Sequence, residues 1–501
     1  MSVIPISVDV RPDRDVGRWG LAIERWSKGK LSQTRVIFLG ILLAGAVLRF
    51  YNLGQPSLWF DEVASVEHAR FRLRDLFSVN PSDWMPPLYA ILLHCWLNLG
   101  TSEWIVRTPS VIFGIAGLAV MFRLGALLFS KRVGLWVAAL LAFSPGHILF
   151  SQEARGYSLL VFLTLLSTYF LVRALCEQHK TALWLYILTT VLIFYTHYLA
   201  PLLLAFQVIF VLIQFHRVPA IPKRPWVISS LLIGIACMPL LFHLIHYVAL
   251  WPDPTQGIRP GIFPPLNLPI LFAQFVVGPY LPPTAALLSG LPASLILFIR
   301  GCRNAFASFQ HHPPEGRYPD VVLLVFLWFA VPTSMLAVLW GGGGYYLLWF
   351  RYALISLPAF LLILALGLPG TWRGSLGPLV FAALMVASGL AIQKNYQIPH
   401  KPDWRGLTRF IHRTGTPEDF VIFASPSDRR PFDFYYELAS RGGRLRPFVL
   451  WGIGQARVWY VASGKNPPDL ELGLERSLGG QYRKVEQSQF HWLRAALYHR
   501  E

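Results

Sequence analysis

The chain has 501 residues, of which 54% are hydrophobic and only 14% charged. Soluble domains carry about 25% charged residues, so a soluble multidomain enzyme does not fit. The net charge of +18, from 44 Lys+Arg against 26 Asp+Glu, would suggest nucleic acid in a soluble protein; in so apolar a chain it calls for a membrane explanation, and no nucleic-acid partner is expected.

Charge is unevenly spread. Residues 1–35 hold seven basic and four acidic side chains, residues 36–393 only twenty and eleven, and residues 394–501 seventeen and eleven. This divides the chain into a cytoplasmic N-terminal segment (1–35), a membrane body (36–393) and a soluble tail (394–501). The first long apolar run begins near Val36 behind a polar stretch, so it reads as an uncleaved anchor rather than a signal peptide. The four cysteines, Cys95, Cys176, Cys237 and Cys302, show neither CxxC nor metal-ligand spacing and read as buried small hydrophobes.

A spanning helix needs about 20 mostly apolar residues, which gives about eleven spans: 36–52, 107–129, 133–150, 157–176, 182–197, 199–216, 226–247, 284–300, 320–340, 352–368 and 375–393. Residues 86–100 are apolar but short and carry His94. Reading them as an interfacial helix keeps the basic loops around Lys131/Arg132, Arg173/Lys180, Lys223/Arg224 and Arg300/Arg303 with the N-terminus in the cytoplasm. The Pro-rich segment 262–282 is an outer loop or a broken helix. An odd number of spans places the tail outside. There, helices at 404–412 and 434–440 alternate with strands at 420–424, 448–451 and 458–461, as expected of a small α/β domain facing the periplasm.

With this topology most carboxylates of the membrane body fall on the outer face, where four local sequences stand out. In Trp59-Phe60-Asp61-Glu62, two carboxylates beside aromatic walls can supply a general base, or form a solvated interfacial loop. In Glu153-Ala154-Arg155-Gly156-Tyr157, an acid and a guanidinium at a helix start can bind phosphate, or close a turn as an ion pair. In Tyr195-Thr196-His197-Tyr198, a neutral His can bond a sugar or phosphate oxygen, or simply sit at the interface. In Gly341–Tyr346 and Phe350-Arg351-Tyr352, a glycine loop leads to a cation at a helix mouth, which meets an anion or snorkels to headgroups. The Arg70–Arg74 cluster reads as an interfacial helix on anionic headgroups.

The ordered blocks R-F-Y-x-L-G, S-L-W-F-D-E, P-P-L-Y, R-T-P-S, S-Q-E-A-R-G-Y, Y-T-H-Y, F-R-Y and K-P-D-W-R resemble the bacterial branch of glycosyltransferase family 39. This is the dolichyl-phosphate-mannose-protein-mannosyltransferase-like group, which includes rhizobial galacturonosyltransferases. The resemblance covers roughly residues 36–410. It implies a GT-C fold, an all-α polytopic bundle, in the bacterial inner membrane. It also implies inverting transfer of a sugar from a polyprenyl-phosphate donor to a lipid, glycan or protein hydroxyl. On that pattern Asp61, Glu62 and Glu153 are the catalytic candidates, Arg155, Arg351 and His197 the phosphate-binding ones, and Trp59, Tyr157, Tyr198 and Tyr352 line the substrate. No cofactor is expected; no DxD sequence lies in the membrane body or the tail, so a divalent metal is not indicated. The second reading is a transporter or lipid flippase, which would place ionisable groups near the midplane in repeated halves.

Overall fold

A computed structural model describes residues 32–77, 85–177, 179–219, 221–250, 267–311, 320–341, 350–368, 376–397, 400–416, 419–440, 457–464 and 482–500. Helix α1 (Gln33–Phe50) leads through the 51–59 loop into α2 (Phe60–Ala69), a short 3-10 turn (Leu73–Phe77) and α3 (Leu88–Trp96). The bundle continues with α4 (Glu103–Leu128), α5 (Lys131–Ala142), α6 (Pro145–Ser151), α7 (Tyr157–Glu177), α8 (Lys180–Phe194), α9 (Ala200–Arg217), α10 (Lys223–Leu250), α11 (Asn267–Val277), α12 (Pro283–His311), α13 (Val321–Gly341), α14 (Phe350–Ala353), α15 (Leu357–Gly367) and α16 (Leu376–Gln397). Eight of these, α1, α4, α7, α9, α10, α12, α13 and α16, are long and apolar enough to cross a membrane.

The remaining three expected spans fall on shorter elements. Helices α5 and α6 meet at a 63° bend. Its cause is local: Ser144 precedes Pro145, which disfavours helical backbone, and Ser144 instead caps α6 by accepting from the His147 amide. Helix α8 has 15 residues, and α14 and α15 divide the 352–368 segment. Helix α3 with its 3-10 extension to Leu99 is likewise short of a span, as expected of an interfacial element. Of the 262–282 segment, the described part forms the 11-residue α11, and residues 262–266 lie outside the described residues, as do 342–349 of the glycine loop.

The tail contains α17 (Trp404–Thr414), β1 (Phe420–Phe423), α18 (Pro426–Ser440), β2 (Arg457–Ser463), β3 (Tyr482–Phe490) and β4 (Leu493–Arg500). The sheet order is β1-β2-β4-β3, with β1 parallel to β2 and the other pairs antiparallel. Helix α18 starts eight residues before the expected 434, at Pro426, whose missing N–H costs nothing at the first helical position; Pro431 lies inside the helix. The expected strand 448–451 lies outside the described residues.

Helix α7 is the most enclosed of the eight candidate spans. Helices α12 and α15 approach so closely that a Cβ on Gly301 would collide with the Ile363 carbonyl, and one on Gly367 with that of Leu297. Such small-residue contacts let helix backbones meet in an apolar medium. Gly301→Ala should therefore destabilise the bundle by about 1–3 kcal/mol, the usual cost of overpacking. Gly389→Ala, where a Cβ meets nothing within 4 Å, should be neutral. Thermal unfolding in detergent checks this, and equal midpoints for the two variants would contradict the close approach.

Candidate active site

The ends of α1, α6, α8 and α16 and the starts of α4, α7, α9 and α14 gather at one end of the bundle, where α2 lies. Trp59 is extended (ψ 177°) and α2 begins at the next residue, which puts Asp61 and Glu62 in its first turn. Carboxylates are favoured there by the helix dipole. The two adjacent acids then diverge completely in environment.

Glu62 is fully buried. Its Oε1 accepts from Arg107 Nε at 2.8 Å and from the Ala154 amide at 3.0 Å. Its Oε2 accepts from Arg107 Nη2 at 2.9 Å, lies 3.0 Å from Lys401 Nζ, and accepts a longer bond from the Trp59 amide. Burial opposes the charge, but Arg107, Lys401 and the Ala154 amide outweigh it and hold the carboxyl at about 2. With every acceptor position used, Glu62 has no capacity to take a proton from a substrate. Its geometry is that of a counter-ion, which departs from the catalytic part expected of it. Arg107 spends its remaining donors on the carbonyls of Leu53, Pro56 and Ser57, so one guanidinium pins the loop leading to Asp61.

Asp61 remains partly accessible. Its Oδ2 lies 3.2 Å from Arg351 Nη1, and the two side chains keep 20% and 18% exposure. Arg351 also stands 5.5 Å over the Tyr352 ring. The Asp61 carbonyl accepts from Arg155 Nη1 at 3.2 Å, and the same nitrogen donates to Ser65 Oγ at 3.0 Å. Arg155 is thereby aimed across the first turn of α2.

The 152–156 turn is fixed by Gln152, whose amide donates to the carbonyls of Leu48, Arg49 and Tyr51 at the end of α1. Glu153 is buried, and its Oε2 has no hydrogen-bond partner among the described residues. Burial, reinforced by Glu62 and Asp61 against the pull of Lys401, raises its carboxyl to about 7. Two residues on, Arg155 walls a small cleft together with Tyr157, His197, Ser65, Tyr89 and Met85. His197 Nδ1 accepts from the Leu199 amide at 3.1 Å, so the neutral ring carries its proton on Nε2, a buried donor without a partner among the described residues. Burial, then Arg155 and Arg351, lower this imidazole to about 3. The Tyr157 and Tyr352 rings stand 5.9 and 6.0 Å from it.

The structure thus brings together Asp61, Glu62, Glu153, Arg155, Arg351, His197, Tyr157 and Tyr352. Trp59 is half-buried against Glu62 through its amide. Tyr198 is half-buried and not part of the cleft wall. Sequence reasoning gave no role to Arg107 in R-T-P-S, to Tyr89 in P-P-L-Y or to Lys401 in K-P-D-W-R. The ordered blocks that carried them were the available signal. Among the described residues no three His, Cys, Asp or Glu side chains converge as metal ligands do.

Two predictions follow from burial. Arg107→Met leaves the buried Glu62 with Lys401 as its remaining ion partner and should cost about 3–5 kcal/mol, whereas Arg107→Met with Glu62→Met and Lys401→Met should cost less because no member of the network is left as an unpaired charge; unfolding midpoints in detergent decide. For Glu153 the folded carboxyl binds its proton more tightly than the unfolded one. Its contribution is therefore full below about pH 4.5 and is lost as pH rises through about 7. Glu153→Gln should accordingly reduce the fall in stability between pH 5 and pH 8, and an unchanged fall would refute the buried-carboxyl assignment.

Residues 85–243 match the family described as dolichyl-phosphate-mannose-protein mannosyltransferase. This segment includes Glu153, Arg155 and His197 and begins after Asp61. No curated protein sequence matches the chain. Among solved structures, the chain is similar to ArnT from Cupriavidus metallidurans bound to undecaprenyl phosphate. The identity is 12% and the TM-score 0.58, over 92% of this chain and 97% of that one. It is also similar to the apo oligosaccharyltransferase of Archaeoglobus fulgidus, at 13% identity and TM-score 0.51, over 84% of this chain and 60% of that one. Family match and shared architecture agree: the chain is a multi-pass membrane protein of the GT-C fold whose residues 85–243 carry the dolichyl-phosphate-mannose-protein mannosyltransferase pattern.

Proposed function

We propose that the protein is an integral-membrane, inverting glycosyltransferase that takes a sugar from a polyprenyl-phosphate donor and passes it to a lipid, glycan or protein hydroxyl. The observation that carries this reading is the charge of the cluster. Arg107, Arg155, Arg351 and Lys401 face Asp61, Glu62 and a Glu153 that burial inclines toward neutrality. Arg107 and Lys401 are spent on Glu62, which leaves Arg155 and Arg351 as the cations that can meet a lipid-borne phosphate where helices reach the interface. The undecaprenyl phosphate bound to the similar ArnT structure supports a donor of that class.

In this mechanism Asp61 takes the proton of the acceptor hydroxyl as its oxygen attacks the anomeric carbon. The bond from that carbon to the phosphate oxygen breaks, and its electron pair leaves with the polyprenyl phosphate. Arg351, now on Asp61, and Arg155 are positioned to meet the charge that develops there. His197 Nε2–H and the Glu153 carboxyl offer hydrogen bonds to sugar or phosphate oxygens, and Tyr157, Tyr352 and Trp59 supply walls. Glu62 positions Asp61. The reading requires no cofactor. The basic loops at the opposite end orient the site and the tail toward the periplasm of a bacterial inner membrane.

The test is Asp61→Asn in purified protein reconstituted with envelope lipids. Sugar transfer, followed by mass spectrometry of the donor lipid and of the glycosylated product, should fall by about 10²–10⁴-fold. Transfer at the wild-type rate would remove Asp61 from the base role. Absence of any polyprenyl-phosphate sugar consumption by the wild-type protein would overturn the proposal itself.

A further inference from the structure

The tail reaches into the site it follows. After α16, residues 400–405 run back across the mouth of the bundle, and Lys401 projects its ammonium onto Glu62 at 3.0 Å with 8% of its side chain exposed. Burial, then Arg107, weaken its hold on its proton, while Glu62 and Glu153 strengthen it. The strap is held at both ends. His400 stacks on Tyr280 at 3.9 Å, and the Asp403 amide donates to the His491 carbonyl in the β3–β4 turn.

The same strap grips the loop that precedes α2. Asp403 Oδ1 accepts from Ser57 Oγ at 3.2 Å, the Arg405 amide donates to that hydroxyl, and Arg405 reaches the Gln55 carbonyl and Glu103. From α18, Tyr435 accepts from the Leu58 amide at 2.6 Å and donates to Glu103 at 2.9 Å. The loop is therefore clamped from two sides, by Arg107 from the bundle and by residues 401–435 from the tail.

We infer that Lys401 is a positioning residue for sugar transfer: carried in by the tail, it fixes Glu62, and through Glu62 the orientation of Asp61. The inference rests on the proposed transfer reaction. Lys401 touches a neighbour of the reacting group, so its loss should slow chemistry without weakening the donor's hold. Misplacement by about 1 Å can cost about 10²-fold in rate.

Lys401→Met in the full-length protein should lower kcat by about 10²-fold while the KM for donor lipid stays within about threefold, and Lys401→Arg should recover most of the loss. Amide hydrogen exchange provides a readout independent of activity: the amides of residues 58–63 should exchange faster in Lys401→Met and return toward wild type in Lys401→Arg. Unchanged exchange there would overturn the inference, as would a kcat that falls only with the folded fraction. If the wild-type protein transfers no sugar yet the exchange responds as expected, the transferase reading fails and the positioning contact stands.

Discussion

The Glu62–Arg107 pair is the constraint on which the rest of the site depends. A carboxylate with no solvent exposure is sustained by two guanidinium bonds, an ammonium and a backbone amide. Taking such ions out of water costs several kcal/mol each, so the arrangement persists only with full pairing. That requirement fixes four separate stretches at once: the loop before α2, the start of α4, the turn before α7 and the strap after α16. Any looser arrangement would leave a buried charge uncompensated. A buried ion network of this kind is weak evidence for stability, but it sharply restricts geometry, and geometry is what the neighbouring Asp61 needs.

Around that fixed point three carboxylates sit in three different environments. Glu62, saturated with donors, is held ionised far below neutrality; Glu153, buried with an unpartnered oxygen, is raised to about 7. Asp61 stays at the edge with one guanidinium on it. Neighbouring acids whose surroundings push them apart can divide the tasks of a reaction. The imidazole of His197 follows the same logic in reverse, since burial and two nearby guanidiniums keep it neutral and leave Nε2–H as a donor.

The architecture was legible in the sequence where one physical signal dominates. Long apolar runs gave α1, α4, α7, α9, α10, α12, α13 and α16 nearly in place, because hydrocarbon thickness sets helix length. Where two signals compete, the reading was coarser: Pro145 divides a run that hydropathy alone joins, and α8 and α15 fall short of the apolar stretches that contain them. The acids Asp61 and Glu153 were visible because carboxylates are scarce in the membrane body. Which of the paired Asp61 and Glu62 stays accessible was not, since that depends on Arg107, 45 residues away, and Lys401, more than 300 away. Adjacency in sequence says nothing about which of two side chains points into the core.

The strap also changes how the tail is understood. Composition alone marks residues 394–501 as a soluble appendage, with 28 charged residues in 108. Yet Lys401, Arg405 and Tyr435 are spent on the membrane body, on Glu62, Glu103, Gln55 and Leu58. Arg430 adds a contact over the Phe60 ring at 4.9 Å and an ion pair to Glu67 at 3.0 Å. These bonds run from the tail onto the 53–67 segment and Glu103, so folding of the sheet and ordering of the 53–67 segment are coupled. Helix α2 is too short to hold itself in water, and α18 packs on it through Arg430, which meets Phe60 and Glu67. The tail therefore supplies part of the surface that lets this interfacial helix exist, and with it the position of Asp61.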